Sequence, residues 1–319
     1  MGIVVNLALP FFALILLGAI AAWRFDHREA GLVWLNTFVF YFALPALVFL
    51  TVANADTGKL ASLGFVAGTT LSTYLVFLTV CAIAVLIFRR SMAEAAIQAS
   101  AGSYANVGYM GLPLVVAALG EDVAVAATLI FVFDNLVQFS LVPMISALDA
   151  DSEDDWVAAI IRALRELGLN PLIIAAVLGA FASLFSLELV QPLQTVLEFL
   201  AKAALPCALF AIGVTMMVRP FRRYGPEFPV VIAAKMILHP LVVFLVLNLM
   251  GGIDQLWLGT AVLMAAMPTA ANVYLLARKY DTYVDGASNA ILITTLISLF
   301  TVTFLLYLID RQYLRADLF

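Results

Sequence analysis

Apolar residues run along this chain in long continuous blocks, and most polar residues collect between the blocks. Ten blocks can be drawn, at residues 3–23, 32–53, 61–88, 94–117, 122–147, 167–187, 191–217, 227–250, 255–277 and 283–309. A helix crosses about 30 Å of hydrocarbon in roughly 20 residues, so each block is expected to span a bilayer. Continuous rather than alternating apolar runs favour helices over barrel strands. The first block is not expected to be a cleavable signal peptide. It lacks a basic leading segment, is long for a signal core, and is followed by Arg24 and Arg28.

Composition agrees with that reading. Of 319 residues, 65% are hydrophobic and 12% charged, against about 45–50% apolar and roughly 25% charged in soluble domains. So apolar a chain has too little polar surface to cover a globule in water. The net charge is −5, and no basic tract points to nucleic acid. Eleven of the 16 basic residues lie in alternate loops: Arg24, Arg28, Arg89, Arg90, Arg162, Arg165, Arg219, Arg222, Arg223, Arg278 and Lys279. The opposite side has Lys59, Arg311 and Arg315. The positive-inside rule then puts the odd loops in the cytoplasm and both termini outside. The acidic run from Asp149 to Asp155 sits in the central cytoplasmic linker, 148–166, and contributes little to the rule. Cys81 and Cys207 read as small buried hydrophobes, with no disulfide framework.

The two halves of the chain repeat. Pro10, Gly18 and Pro45 match Pro171, Gly179 and Pro206 at one constant separation, and Ala105-Asn106-Val107 recurs as Ala271-Asn272-Val273. Five spans in each half (1–147 and 167–319) give the second half the opposite orientation to the first. The expected fold is therefore an all-α integral membrane protein of ten transmembrane helices in two inverted five-helix repeats, an arrangement typical of secondary transporters.

The fourth and ninth spans carry the candidate chemistry. Tyr104, Asn106, Gly108 and Pro113 interrupt the fourth, and Pro268, Asn272 and Tyr274 the ninth. Glycine, proline and asparagine make poor helix interiors. Interrupted spans in corresponding places of two halves point to a transporter's binding site. Unwound backbone at membrane depth is tolerated where it is buried in protein or lines a cavity. Half-helix N-termini there suit a carboxylate, and asparagine donates and accepts without the desolvation cost of a charge. Proline kinks packed by neighbouring helices are the plainer alternative.

Asn170-Pro171, the Ala-Leu-Pro triplets, Lys235 with His239-Pro240, and Met267-Pro268 followed by Asn272-Val273-Tyr274 resemble the auxin efflux carrier family, within the bile acid/auxin superfamily. The resemblance covers the whole chain. It implies a scaffold of spans 1, 2, 6 and 7 that forms a homodimer. Spans 3–5 and 8–10 would form an elevator-type transport domain in which the broken fourth and ninth helices cross at the substrate. It also implies that Asn106 contacts a carboxylate. Plant members have a proline at each crossover where this chain has Ala105 and Val273, so the unwinding here is expected to rest on Gly108, Asn106 and Asn272 and to be milder or shifted. For a bacterial member in the inner membrane, small carboxylates such as malate or malonate are expected ahead of indole auxin.

Ionisable groups at membrane depth are functional candidates by default. Asp134, with Asn135 and Gln138 behind it, reads as a proton or cation coupling site or as a hydrogen-bonding support for the crossover. Glu198 and Lys202 share a helix face at i, i+4 and are expected to neutralise each other. Lys235 and His239 share a face likewise; Lys235 attracts an anion or pairs with Asp134, and His239 relays protons or satisfies a carbonyl. No cofactor or metal is expected beyond a coupling ion, either Na+ or H+. Sodium-coupled relatives in the superfamily keep a bile-acid-type symporter as the alternative. A ligand sensor with a transporter's fold is another. Zinc-protease, serine-hydrolase and diphosphate motifs are missing from the sequence, which argues against an enzyme.

Overall fold

The computed structural model describes residues 2–25, 28–55, 62–148, 161, 165, 168–218, 221 and 224–316. The acidic run in the linker lies outside these residues, as do Lys59, Arg162, Arg219, Arg222 and Arg223. The main helices of the first half are α1 (Gly2–Arg24), α2 (Arg28–Phe38), α3 (Leu44–Ala53), α4 (Leu63–Leu86), α5 (Met92–Ser103), α6 (Leu112–Leu119) and α7 (Ala124–Ser146). Those of the second are α8 (Pro171–Leu184), α9 (Gln191–Val218), α10 (Phe228–Ala233), α11 (His239–Met250), α12 (Gln255–Ala265), α13 (Asn272–Lys279) and α14 (Val284–Asp310). Six stretches among the described residues are long and apolar enough to cross a membrane: Gly31–Ala53, Leu63–Leu86, Glu121–Ser146, Gln191–Met217, Phe228–Met250 and Val284–Asp310. Shorter apolar helices occupy Leu9–Arg24, Val107–Leu119, Pro171–Leu184 and Gln255–Ala265.

Prolines shape several of these helices from within. Three widened π-helical turns, Val39–Ala43, Val107–Gly111 and Ala234–Leu238, each stop just before a helix whose second residue is Pro45, Pro113 or Pro240. Proline has no N–H to donate and its ring crowds the carbonyl four residues back. A wider turn relieves both problems and lets the helix continue.

Polarity is distributed for lipid. Large apolar side chains such as Leu178, Phe199 and Phe300 are exposed, whereas Gln98, Asp134, Gln138, Lys235, His239 and Asn289 are buried. In hydrocarbon the helix exterior must be apolar, and polar groups find partners only inside the bundle.

The described helices fall into two units. The first comprises Met1–Ser62, Gly108–Leu129 and Leu169–Pro220. Its α1 packs on α9 and its α3 on α8. The α1–α9 approach depends on glycine from both sides. A Cβ on Gly18 would fall 2.1 Å from the Phe210 carbonyl oxygen, and one on Gly213 would fall 1.9 Å from that of Ile15. Small residues that let backbones meet drive helix packing in membranes. Within this unit Glu198 and Lys202 line a cavity of about 510 Å3 together with Asn54, Glu121 and Gln194.

The second unit comprises Leu63–Val107, Ile130–Gly168 and Phe221–Phe319. α5 packs on α4, α10, α13 and α14, and α11 packs on α4 and α12. Its core includes Phe77, Ile97, Tyr104, Val273 and Ala290. Cys81 is buried here and Cys207 is half-buried in the first unit; both are free thiols.

Candidate functional site

Both interrupted spans open in the second unit, and the opened segments pair with each other. α5 ends at Ser103 and α12 at Ala265. Between these ends and the next helical turns, Ala105 and Thr269 form an isolated antiparallel bridge. The Asn106 N–H donates to the Pro268 carbonyl at 2.8 Å, and the Ala270 N–H donates to that of Tyr104 at 3.1 Å. Two such bonds flanking the facing residues are the wide pair of an antiparallel ladder. Backbone freed from two helices is thus satisfied by mutual pairing, as burial in a membrane requires.

The loose carbonyls at the helix ends are capped by side chains. Thr269 Oγ1 donates to the Ala101 carbonyl at 2.8 Å, and the Thr269 N–H donates to Thr294 Oγ1 at 2.9 Å. The Lys235 ammonium donates to the Ala265 carbonyl at the end of α12. A cation at a helix C-terminus also meets the negative end of its dipole.

Three expectations are revised by this geometry. The fourth span opens at 104–106, centred on Ala105 although no proline stands there, and Gly108 lies in the π-helical turn beyond the opening. The ninth span opens over 266–271, so Pro268 lies in the break while Asn272 begins α13 and Val273 lies inside it. At the half-helix N-termini some N–H groups bond locally. Val107 donates back to Ala105, Val273 to Ala270 and Tyr274 to Ala271. Finally, Glu198 and Lys202 do not form an ion pair among the described residues. Glu198 accepts a hydrogen bond from Gln194 at 3.0 Å, from the turn before it, which occupies the carboxylate instead.

Two amides face the crossing differently. The Asn106 side chain is nearly buried and has no hydrogen-bond partner among the described residues. Asn272 interacts with the Tyr104 hydroxyl, which itself donates to Asn135 Oδ1 at 2.7 Å. Asn135 donates to the Phe131 carbonyl at 2.7 Å, and Gln138 donates to Ser100. Tyr274 is half-buried on α13, and Pro113 lies outside this unit, near the start of α6.

Asp134, Lys235 and His239 come together, but not as a contact ion pair. Thr73 Oγ1 donates to Asp134 Oδ1 at 3.0 Å and lies 3.3 Å from His239 Nε2; His239 Nδ1 is 3.1 Å from Lys235 Nζ. Sequence reasoning did not single out Thr73, Thr269 or Thr294. A threonine inside an apolar helix usually just bonds the carbonyl one turn back, as Thr128 does here.

A multi-spanning helical bundle with polar, broken helices paired in its interior is the architecture of a membrane transporter. Residues 3–306 match the family described as "Membrane transport protein", and the chain belongs to it, the auxin efflux carrier family. Over 319 residues, 100% of both chains, it is 42% identical to a Rhizobium meliloti (strain 1021) protein named "Putative malonate transporter". It is 25% identical over 299 residues to the Escherichia coli (strain K12) "Uncharacterized transporter YfdV", covering 90% of this chain and 92% of that one. A Methanothermobacter thermautotrophicus "Uncharacterized transporter" is 26% identical over 297 residues, 91% of this chain and 93% of its own length. The family and these relatives are transporters, not enzymes.

Proposed function

We propose that this protein carries a small organic anion, a carboxylate of the malonate or malate type, across a bacterial cell membrane by elevator-type alternating access. The observation that carries the reading is the unpartnered Asn106 amide beside two mutually paired helix breaks. A buried amide without a protein partner has unspent hydrogen-bonding capacity, and a carboxylate uses its donor side well. An uncharged site also releases its anion more readily than one built on a fixed cation. The relative named for malonate supports this substrate class.

On this reading the ten apolar stretches form two inverted halves with both termini outside. Spans 1, 2, 6 and 7 form the dimerising scaffold, and the crossing travels with spans 3–5 and 8–10. Inverted halves give inward- and outward-facing states from one set of contacts.

Thermal-shift screening of purified protein against mono- and dicarboxylates, with sodium and pH varied separately, tests the substrate class. Malonate at a hundredfold excess over its Kd is expected to stabilise the fold by about 2.7 kcal/mol, and the neutral diamide of the same acid to leave the melting temperature unchanged. A screen in which no carboxylate raises the melting temperature would overturn the reading.

A further inference from the structure

Asp134, Thr73, His239 and Lys235 form one directed chain of hydrogen bonds within the second unit. All four are buried. Lys235 Nζ is 3.1 Å from His239 Nδ1. An ammonium has only donors, so Nδ1 must accept, and the ring proton then sits on Nε2. Nε2 donates to Thr73 Oγ1 over 3.3 Å, and the Thr73 hydroxyl donates to Asp134 Oδ1 over 3.0 Å. Every bond runs from Lys235 toward Asp134.

One end of the chain touches the crossing, and the other is next in sequence to a residue that does. Lys235 holds the Ala265 carbonyl, where the ninth span opens. Asp134 precedes Asn135, which accepts the Tyr104 hydroxyl next to the opening of the fourth. The titratable and charged groups facing Asp134 among the described residues are Lys235 and His239 from the eighth span and Tyr104 from the fourth. The third span contributes only Thr73, and α12 only its terminal carbonyl.

We propose that Asp134, Thr73, His239 and Lys235 are a proton-binding relay that takes up one proton from water together with each carboxylate anion, making the protein a proton–anion symporter. With Asp134 ionised and Lys235 as an ammonium, the relay carries no net charge. A proton from water forms an O–H bond at Asp134 Oδ2, which has no hydrogen-bond partner among the described residues. The relay then carries one positive charge beside a crossing whose own polar side chains are neutral. A carboxylate arriving there compensates that charge, and the proton compensates the anion. Favourable coupling between two ligands is reciprocal, so each raises the affinity for the other. Loss of the proton on the far side weakens anion binding and releases it.

The proposal rests on the carboxylate reading above, and two measurements separate their failures. The first is calorimetric titration of malonate into purified protein from about pH 7 to pH 9. Affinity is expected to tighten about tenfold for each unit of falling pH, with about one proton taken up per malonate. In Asp134→Asn, or in Asp134→Ser where that variant does not fold, the affinity should no longer depend on pH. Wild-type binding without pH dependence, or a variant that keeps the wild-type slope, would overturn the relay. If malonate does not bind, the substrate reading fails by itself. Infrared spectroscopy then decides the relay without any substrate. A protonated-carboxyl band that grows on acidification and is missing from Asp134→Asn supports it, and its absence from the wild type overturns it.

Discussion

Replacing Asn106 and Asn272 together with alanine is expected to lower the initial rate of labelled malonate uptake by about a hundredfold or more, with the melting temperature nearly unchanged. A hydrogen bond to a charged group contributes about 1.5–3 kcal/mol. Losing two removes about 3–6 kcal/mol, and each 1.36 kcal/mol is a factor of ten. The fold has little at stake in these side chains. Asn106 gives up no protein partner, and Asn272 gives up its contact with Tyr104. The pairing of the two segments uses backbone groups alone, through Asn106 N–H to Pro268 and Ala270 N–H to Tyr104. Uptake in proteoliposomes, read beside the melting curve, separates a lost site from a lost fold. Transport within twofold of wild type would remove both asparagines from the site.

Lys235→Met carries the second large expectation, on stability. The side chain is fully buried and holds the end of α12 as well as His239. Methionine fills the same volume but leaves the Ala265 carbonyl uncapped and Asp134 without an opposing charge. Leaving a buried carbonyl unsatisfied costs about 1–3 kcal/mol, and an ionised Asp134 without its countercharge adds to that loss. Adding Asp134→Asn to Lys235→Met should therefore recover the part of that loss due to the missing countercharge. A double-mutant cycle on unfolding in detergent reads this recovery as a coupling energy. Additive losses would mean that the two groups do not act as one unit.

The sequence made the solvent and the location of the breaks legible, because each follows from local chemistry. Unbroken apolar runs have few explanations other than lipid, and Tyr104 to Pro113 holds too many helix-weakening residues to stay helical throughout. The pairing of Ala105 with Thr269 was not legible, since it joins segments more than 160 residues apart and neither residue carries a signal for it. Helical spacing allowed Glu198 to meet Lys202, but it equally allowed Gln194 to reach Glu198, and spacing alone cannot choose between them. The same limit applies to Asp134 and Lys235. Both were visible as rare charges at membrane depth, yet Thr73 and His239 stand between them, and only the packing of α4 against α11 puts them there.

Counterflow shows whether the paired breaks belong to a carrier of small carboxylates. Proteoliposomes loaded with unlabelled malonate are diluted into a trace of labelled malonate, with no pH or sodium gradient. Label is expected to accumulate transiently inside, suppressed by excess malate outside and unaffected by the neutral diamide. Saturable malonate binding with no accumulation of label would contradict that expectation and leave the protein a ligand sensor.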